Sequence, residues 1–98
     1  MSATDLLGLA TRARKVVTGT DSVIRALRAK TLHLVVLASD ASDNTRKKIR
    51  DKSSFYETPV LETMTSEEMS HAIGKHDIKA LGLTDPGFSK ALVNQTRK

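Results

Sequence analysis

The residues with the most chemistry stand together at Gly19-Thr20-Asp21-Ser22, followed by Arg25 and Arg28. A glycine followed by hydroxyl and carboxylate side chains reads as a helix start. Thr20 or Asp21 can cap that helix, which is predicted to run over residues 20–29 with Val23, Ile24 and Leu27 facing inward. A helix start offers unpaired N–H groups and the positive end of the helix dipole, which suit phosphate or another acceptor-rich partner; the glycine permits close backbone approach. Asp21, Arg25 and Arg28 recur at i, i+4 and i+7, so they share one stripe, with Ser22 beside Arg25. Arg12, Arg14 and Lys15 lie just upstream and border the same surface if a short strand returns the chain. A guanidinium can bond two acceptors on a base edge or phosphate, and Ser or Asp can contact base edges or sugars. This equipment suits irregular RNA, whose opened grooves expose edges that a regular A-form helix hides. The same residues would also make an ordinary capped helix with an Asp21–Arg25 pair worth about 0.2–0.5 kcal/mol. Residue types alone leave both readings open.

Elsewhere the chemistry thins out. Arg46-Lys47-Lys48-Ile49-Arg50-Asp51-Lys52 gives a helix charged around most of its circumference, either a sequence-independent phosphate contact or a solvated face. No aromatic residue interleaves with those cations, which argues against a single-strand stacking platform. Glu67 and His71 share a helix face near His76, a thin set for a metal, and His33 falls in an apolar strand. The P-loop, dinucleotide-binding and nucleophile-elbow signatures are absent. With no cysteine, disulfides and thiol-based metal or catalytic chemistry are excluded. The expectation is a protein without catalysis, cofactor or metal.

The elements that must position these residues follow from pattern. Ninety-eight residues make one domain, and 39% hydrophobic with 28% charged residues is a globular composition. Only Phe55, Tyr56 and Phe88 are aromatic, so the core must be aliphatic. Ser2 and Asp5 form a capping box before Leu6, Leu9, Ala10 and Ala13 at helical spacing. Val16 and Val17 predict a short strand ending at Thr18-Gly19. Residues 32–38 lack polar alternation and read as a strand covered on both faces. A turn and cap cluster at residues 39–43 precedes a helix over 44–54, and residues 59–62 give another short strand. Thr65 and Glu68 form a second capping box, opening a helix that buries Met69, Ala72 and Ile73. Residues 78–83 supply a fourth strand, and Asp85-Pro86 starts a last helix striped by Phe88, Ala91 and Leu92. Regular alternation of helix and strand predicts a three-layer α/β/α domain.

Charge points the same way as the helix start. The net charge is +5. Before residue 55 eleven Lys and Arg face five Asp and Glu; from residue 55 onward the balance is five to six. A polarised basic surface favours a polyanion. No apolar run is long enough to span a bilayer and the N-terminus lacks a secretory pattern, so a cytoplasmic protein away from membranes is expected. A monomer is expected too. The alternative of another class is a protein-interaction adaptor that meets an acidic partner in translation or RNA processing; a small metal hydrolase is a third.

The string from Leu6 to Gly19, with Gly8, Ala10, Arg12, Lys15 and Thr18, resembles the opening of the L-seven-Ae family of ribosomal and kink-turn-binding proteins, above all its small bacterial YlxQ-type members. Residues 23–27, 34–45, 72–75 and 84–88 continue the likeness in order along nearly the whole chain. The resemblance implies an L30e-like α/β/α sandwich around a four-stranded mixed sheet, and RNA binding without catalysis, to ribosomal RNA, a kink-turn or the ribosome. In the family a Gly-x-Asn-Glu-x-x-Lys stretch opens the second helix and reads tandem sheared G·A pairs. Here Gly19 fills the glycine position, Asp21 stands for Asn, Ser22 for Glu and Arg25 for Lys, while Lys15 matches a preceding basic position. A family loop that holds a flipped-out nucleotide corresponds to Gly74, Lys75, His76, Asp77 and Ile78. Arg14 replaces a glycine common in the opening motif. The expected contact surface is therefore Gly19, Thr20, Asp21, Ser22 and Arg25, edged by Lys15 and Arg28, with loop 74–78 opposite.

Overall fold

The computed structural model describes residues 1–96, among which helices and strands alternate. In chain order they are α1 (Ala3–Arg12), β1 (Val16–Thr18), α2 (Thr20–Arg28), β2 (Leu34–Leu37), α3 (Asp43–Phe55), β3 (Val60–Leu61), α4 (Ser66–Ile73), β4 (Ala80–Leu83) and α5 (Pro86–Thr96). Local start signals explain most helix beginnings. The Ser2 hydroxyl accepts from Asp5 N–H at 3.1 Å while the Asp5 carboxylate accepts from Ser2 N–H at 3.3 Å. Thr65 and Glu68 repeat this exchange at 3.2 and 2.9 Å. Ser42 caps α3, and the Asp85 carboxylate accepts from Phe88 N–H at the start of α5.

The strands form one mixed sheet in the order β1-β4-β2-β3. β4 runs antiparallel to both β1 and β2, and β3 lies parallel to β2. Helices α1, α4 and α5 pack together as one layer, with α2 and α3 as the other. The central strands β2 and β4 are buried throughout, as their unbroken apolar sequence requires. The core is aliphatic, led by Leu7, Leu27, Leu34, Leu37, Ile49 and Leu81. None of the described helices is long and apolar enough to cross a membrane.

Two strands are shorter than their apolar runs. The run over 32–38 is in register with β4 only from Leu34 to Leu37, though His33 N–H still donates to Leu83 and Ala38 N–H to Lys79. The run over 78–83 enters the sheet at Ala80, since Ile78 N–H is spent on the Ser70 hydroxyl at 2.8 Å. Neither Thr20 nor Asp21 caps α2: Gly19 holds the N-cap position and Thr20 is already helical.

One end of the sheet gathers the segments of interest. Gly19 N–H donates to the Ala80 carbonyl at 2.9 Å, Ala38 N–H to Lys79 at 2.8 Å, and Ser39 N–H to Met64 at 2.9 Å. The start of α2, the approach to β4, the exit of β2 and the start of α4 therefore share that end.

Candidate nucleic-acid interface

The start of α2 is built on backbone alone. Gly19 has φ +96° and ψ 148°, a combination essentially confined to glycine. An added Cβ would meet nothing within 4 Å, so the requirement is conformational and not one of space. The Gly19 carbonyl accepts from Val23 N–H at 2.9 Å, yet no side chain caps the helix. The N–H groups of Thr20, Asp21 and Ser22 have no acceptor among the described residues. Three donors at the positive end of a helix are thus available to an external acceptor.

Charged side chains surround this end. Asp21, Arg25 and Arg28 are all exposed. The Arg25 guanidinium donates to the Ser22 hydroxyl at 3.1 Å. No Asp21–Arg25 ion pair forms among the described residues, so the pair that an ordinary capped helix would make is missing. Asp21 keeps its acceptors free, and Arg25, held by one hydrogen bond, retains most of its five donors.

Loop 74–79 arrives at the same sheet end. Gly74 closes α4 in the left-handed region at φ +72°. Two serines on the inward face of α4 then fasten the loop: the Ser70 hydroxyl accepts from Ile78 N–H at 2.8 Å, and the Ser66 hydroxyl donates to the Ile78 carbonyl at 2.9 Å. Lys79 reaches both the Ser66 hydroxyl and the Asp77 carboxylate at 3.2 Å, and Asp40 accepts from Ser66 N–H at 2.8 Å. Gly74, Lys75, His76 and Asp77 are exposed, and Ile78 is half-buried. A cleft of about 450 Å³ lies here, lined by Asp40, Glu67, His71, Lys75, His76 and Asp77 among others. Ser66, Ser70 and Lys79 escaped the sequence reading. Their one sign was two serines, four apart, on a helix face otherwise read as apolar.

Lys15 stands apart. Its carbonyl accepts from Thr84 N–H at 2.9 Å, which puts it at the opposite end of β1 from Gly19, about 10 Å away or more along the strand. The fold does not bring its backbone to the Gly19 end. Glu67, His71 and His76 do line one cleft, but no group of three His, Asp or Glu among the described residues is placed to hold a metal.

On α3, the charges are partly spoken for. Arg50 grips Glu62 through Nε at 2.5 Å and Nη2 at 2.7 Å, and Arg46 approaches the same carboxylate at 3.4 Å. The hydrogen bond from Arg50 holds the Glu62 carboxyl below its ordinary pKa despite partial burial, and the same bond raises that of Arg50. Glu62 therefore engages the two arginines of this helix and cancels one of its positive charges. Lys47 and Lys48 remain exposed.

Comparison with known proteins agrees with this architecture. The sequence profile of the ribosomal protein L7Ae/L30e/S12e/Gadd45 family matches residues 1–93. The RNA-binding protein YlxQ of Enterococcus faecium is 44% identical over 88 residues, covering 90% of this chain and 84% of that protein. Its namesake from Bacillus subtilis (strain 168) is 43% identical over 89 residues, 91% and 89% of the two chains. A protein of unknown function from Bacillus halodurans superposes with a TM-score of 0.91 at 40% identity, covering 95% of this chain and 94% of its own. The Giardia lamblia 15.5kD RNA binding protein shares the fold, with a TM-score of 0.77 at 12% identity over 94% of this chain and 82% of its own. From residue 1 to residue 93, then, sequence and architecture together make this chain a member of the ribosomal protein L7Ae/L30e/S12e/Gadd45 family.

Proposed function

We propose that this protein binds structured RNA without catalysing a reaction, through the start of α2 and the fastened loop 74–78. The observation that carries the reading is the uncapped helix end at Gly19, with three free N–H donors beside the exposed Asp21 and Arg25. The names of the YlxQ relatives, which are RNA-binding proteins, support the same class of ligand. Phosphate or an opened base edge would meet the helix-end donors, and Arg25 would bond two acceptors at once. Asp21 can only accept, so it selects an exposed amino or imino edge of a base and repels phosphate. Such edges are displayed where an RNA groove is opened by non-Watson–Crick pairs, as in the tandem G·A pairs of a kink-turn. Loop 74–78 would close the site from the other side, with Lys75 and His76 as donors and Ile78 as apolar backing.

The test is binding of a kink-turn RNA by the parent protein and by Arg25→Ala. Loss of a bidentate arginine contact is expected to weaken binding by about 1–3 kcal/mol, or roughly 5- to 150-fold. Unchanged affinity would remove Arg25 from the site and, with it, this assignment of the surface.

A further inference from the structure

At the far end of α2 the fold brings Lys30 to the C-terminal end of α3. Phe55, the last residue of α3, is 77% exposed. A single exposed phenylalanine is ordinary, but its surroundings are not. Its ring meets that of Tyr56 edge-on, with centroids 4.9 Å apart and planes at 84°. Tyr56 is packed against the core, so it anchors a ring that otherwise projects into solvent. Two depressions flank the pair. One, of about 420 Å³, is lined by Lys48, Asp51 and Lys52; the other, of about 320 Å³, by Lys30 and Glu57. None of the three lysines is engaged in an ion pair among the described residues. Lys48 and Lys52 share α3 with Phe55, and Lys30, just past the end of α2, is added by the packing of α2 on α3; three cations and two carboxylates thus border the aromatic pair.

From this geometry we infer that Phe55 is a stacking platform for an unpaired nucleotide of the RNA bound at the start of α2. The inference rests on the RNA-binding reading and extends it. Continuity favours this occupant. The exposed stripe of α2 carries Arg25 and then Arg28 from the Gly19 end toward Lys30, a run of about 14 Å for nine helical residues. A strand leaving the first site along those arginines reaches a ring able to stack on any base, with Lys30, Lys48 and Lys52 to meet its phosphates. An acidic peptide would satisfy the lysines but has no need of the arginine stripe.

The experiment compares three kink-turn RNAs: one without a tail, one with an oligoadenylate tail of about ten nucleotides, and one whose tail of equal length is abasic. The bases of the tail are expected to strengthen binding about 5- to 30-fold over the abasic tail. Phe55→Ala should erase that increment and leave the affinity for untailed RNA intact, whereas Arg25→Ala weakens all three. The chain has no tryptophan, so Phe55→Trp places a lone reporter there, and its emission should be quenched by oligoadenylate and not by the abasic polymer. An increment that survives Phe55→Ala, or tails that bind equally with and without bases, overturns the platform while leaving the first site standing. If no kink-turn RNA binds, the first reading fails; the tryptophan and free oligoadenylate then decide the platform, and absence of quenching overturns it as well.

Discussion

Glu62 shows how one side chain changes the meaning of a whole helix. It lies sixteen residues from Arg46 and twelve from Arg50, yet receives both guanidinium groups. No periodicity within α3 signals this, which is why its arginines read as free charges until the segment after β3 is placed beside them. The arrangement has a pH consequence of definite sign. The folded-state pKa of Glu62 is depressed, so its contribution to stability is complete above the unfolded-state carboxylate pKa of about 4.3 and is lost as pH falls through the lower folded value. Glu62→Gln is therefore expected to lower the urea midpoint at neutral pH, with the difference from the parent closing as the pH drops below about 4. Parallel stability curves for parent and variant across that range would show that the pair contributes nothing. The same residue-scale logic separates Arg25 from Arg46 and Arg50. Arg25 leans on a neutral hydroxyl and keeps its charge available; the other two have already met a carboxylate.

Among the elements, what was legible was what is local. Both capping boxes and the proline-opened α5 could be read from the chain because their partners sit within four residues, and β2 because its unbroken apolar run shows burial on both faces whatever its partners, which lie far away in β3 and β4. The start of α2 is only half legible. Gly19 marked it, but the neighbouring Thr20 and Asp21 looked like caps, whereas the chain uses the φ of glycine and no side chain. Phe55 and Tyr56 lie just beyond the basic run 46–52, so a search for aromatics interleaved with those cations passes over them although Lys48 and Lys52 precede Phe55 by seven and three residues on α3; only Lys30 is brought by the packing of α2 on α3. Backbone conformation gives a paired prediction. Arg14 follows α1 at φ +60°, where a side chain costs about 1–2 kcal/mol relative to glycine. Arg14→Gly should relieve that strain; after the greater chain entropy of glycine in the unfolded state, a net gain of about 0.5–1 kcal/mol is expected. Gly19→Ala should do the reverse, costing about 1–3 kcal/mol although nothing stands within 4 Å of the new Cβ. Urea unfolding at unchanged m reads both, and an Arg14→Gly variant no more stable than its parent would sink the argument for the α1 terminus.

For the whole molecule, the charge that first draws attention is less concentrated than its total implies. The net +5 includes Arg46 and Arg50, both turned toward Glu62, and Lys15, which the fold sends to the opposite end of β1 from Gly19. At the candidate interface, Asp21, Asp40 and Asp77 stand among Arg25, Lys75 and Lys79. A surface so mixed does not bind polyanions by bulk attraction alone; it needs its fixed donors and acceptors to be met. Under the proposed reading, about four phosphates are neutralised, so log K should fall with log salt at a slope of roughly −3 to −4. Replacing the G·A pairs removes base edges and leaves the phosphates, so it should weaken binding by a factor that stays nearly constant across the same salt series. A slope steeper than about −6, with equal affinity for the intact and replaced RNAs, would mean that the chain attracts RNA as any basic surface does. The uncapped start of α2 would then be solvated backbone.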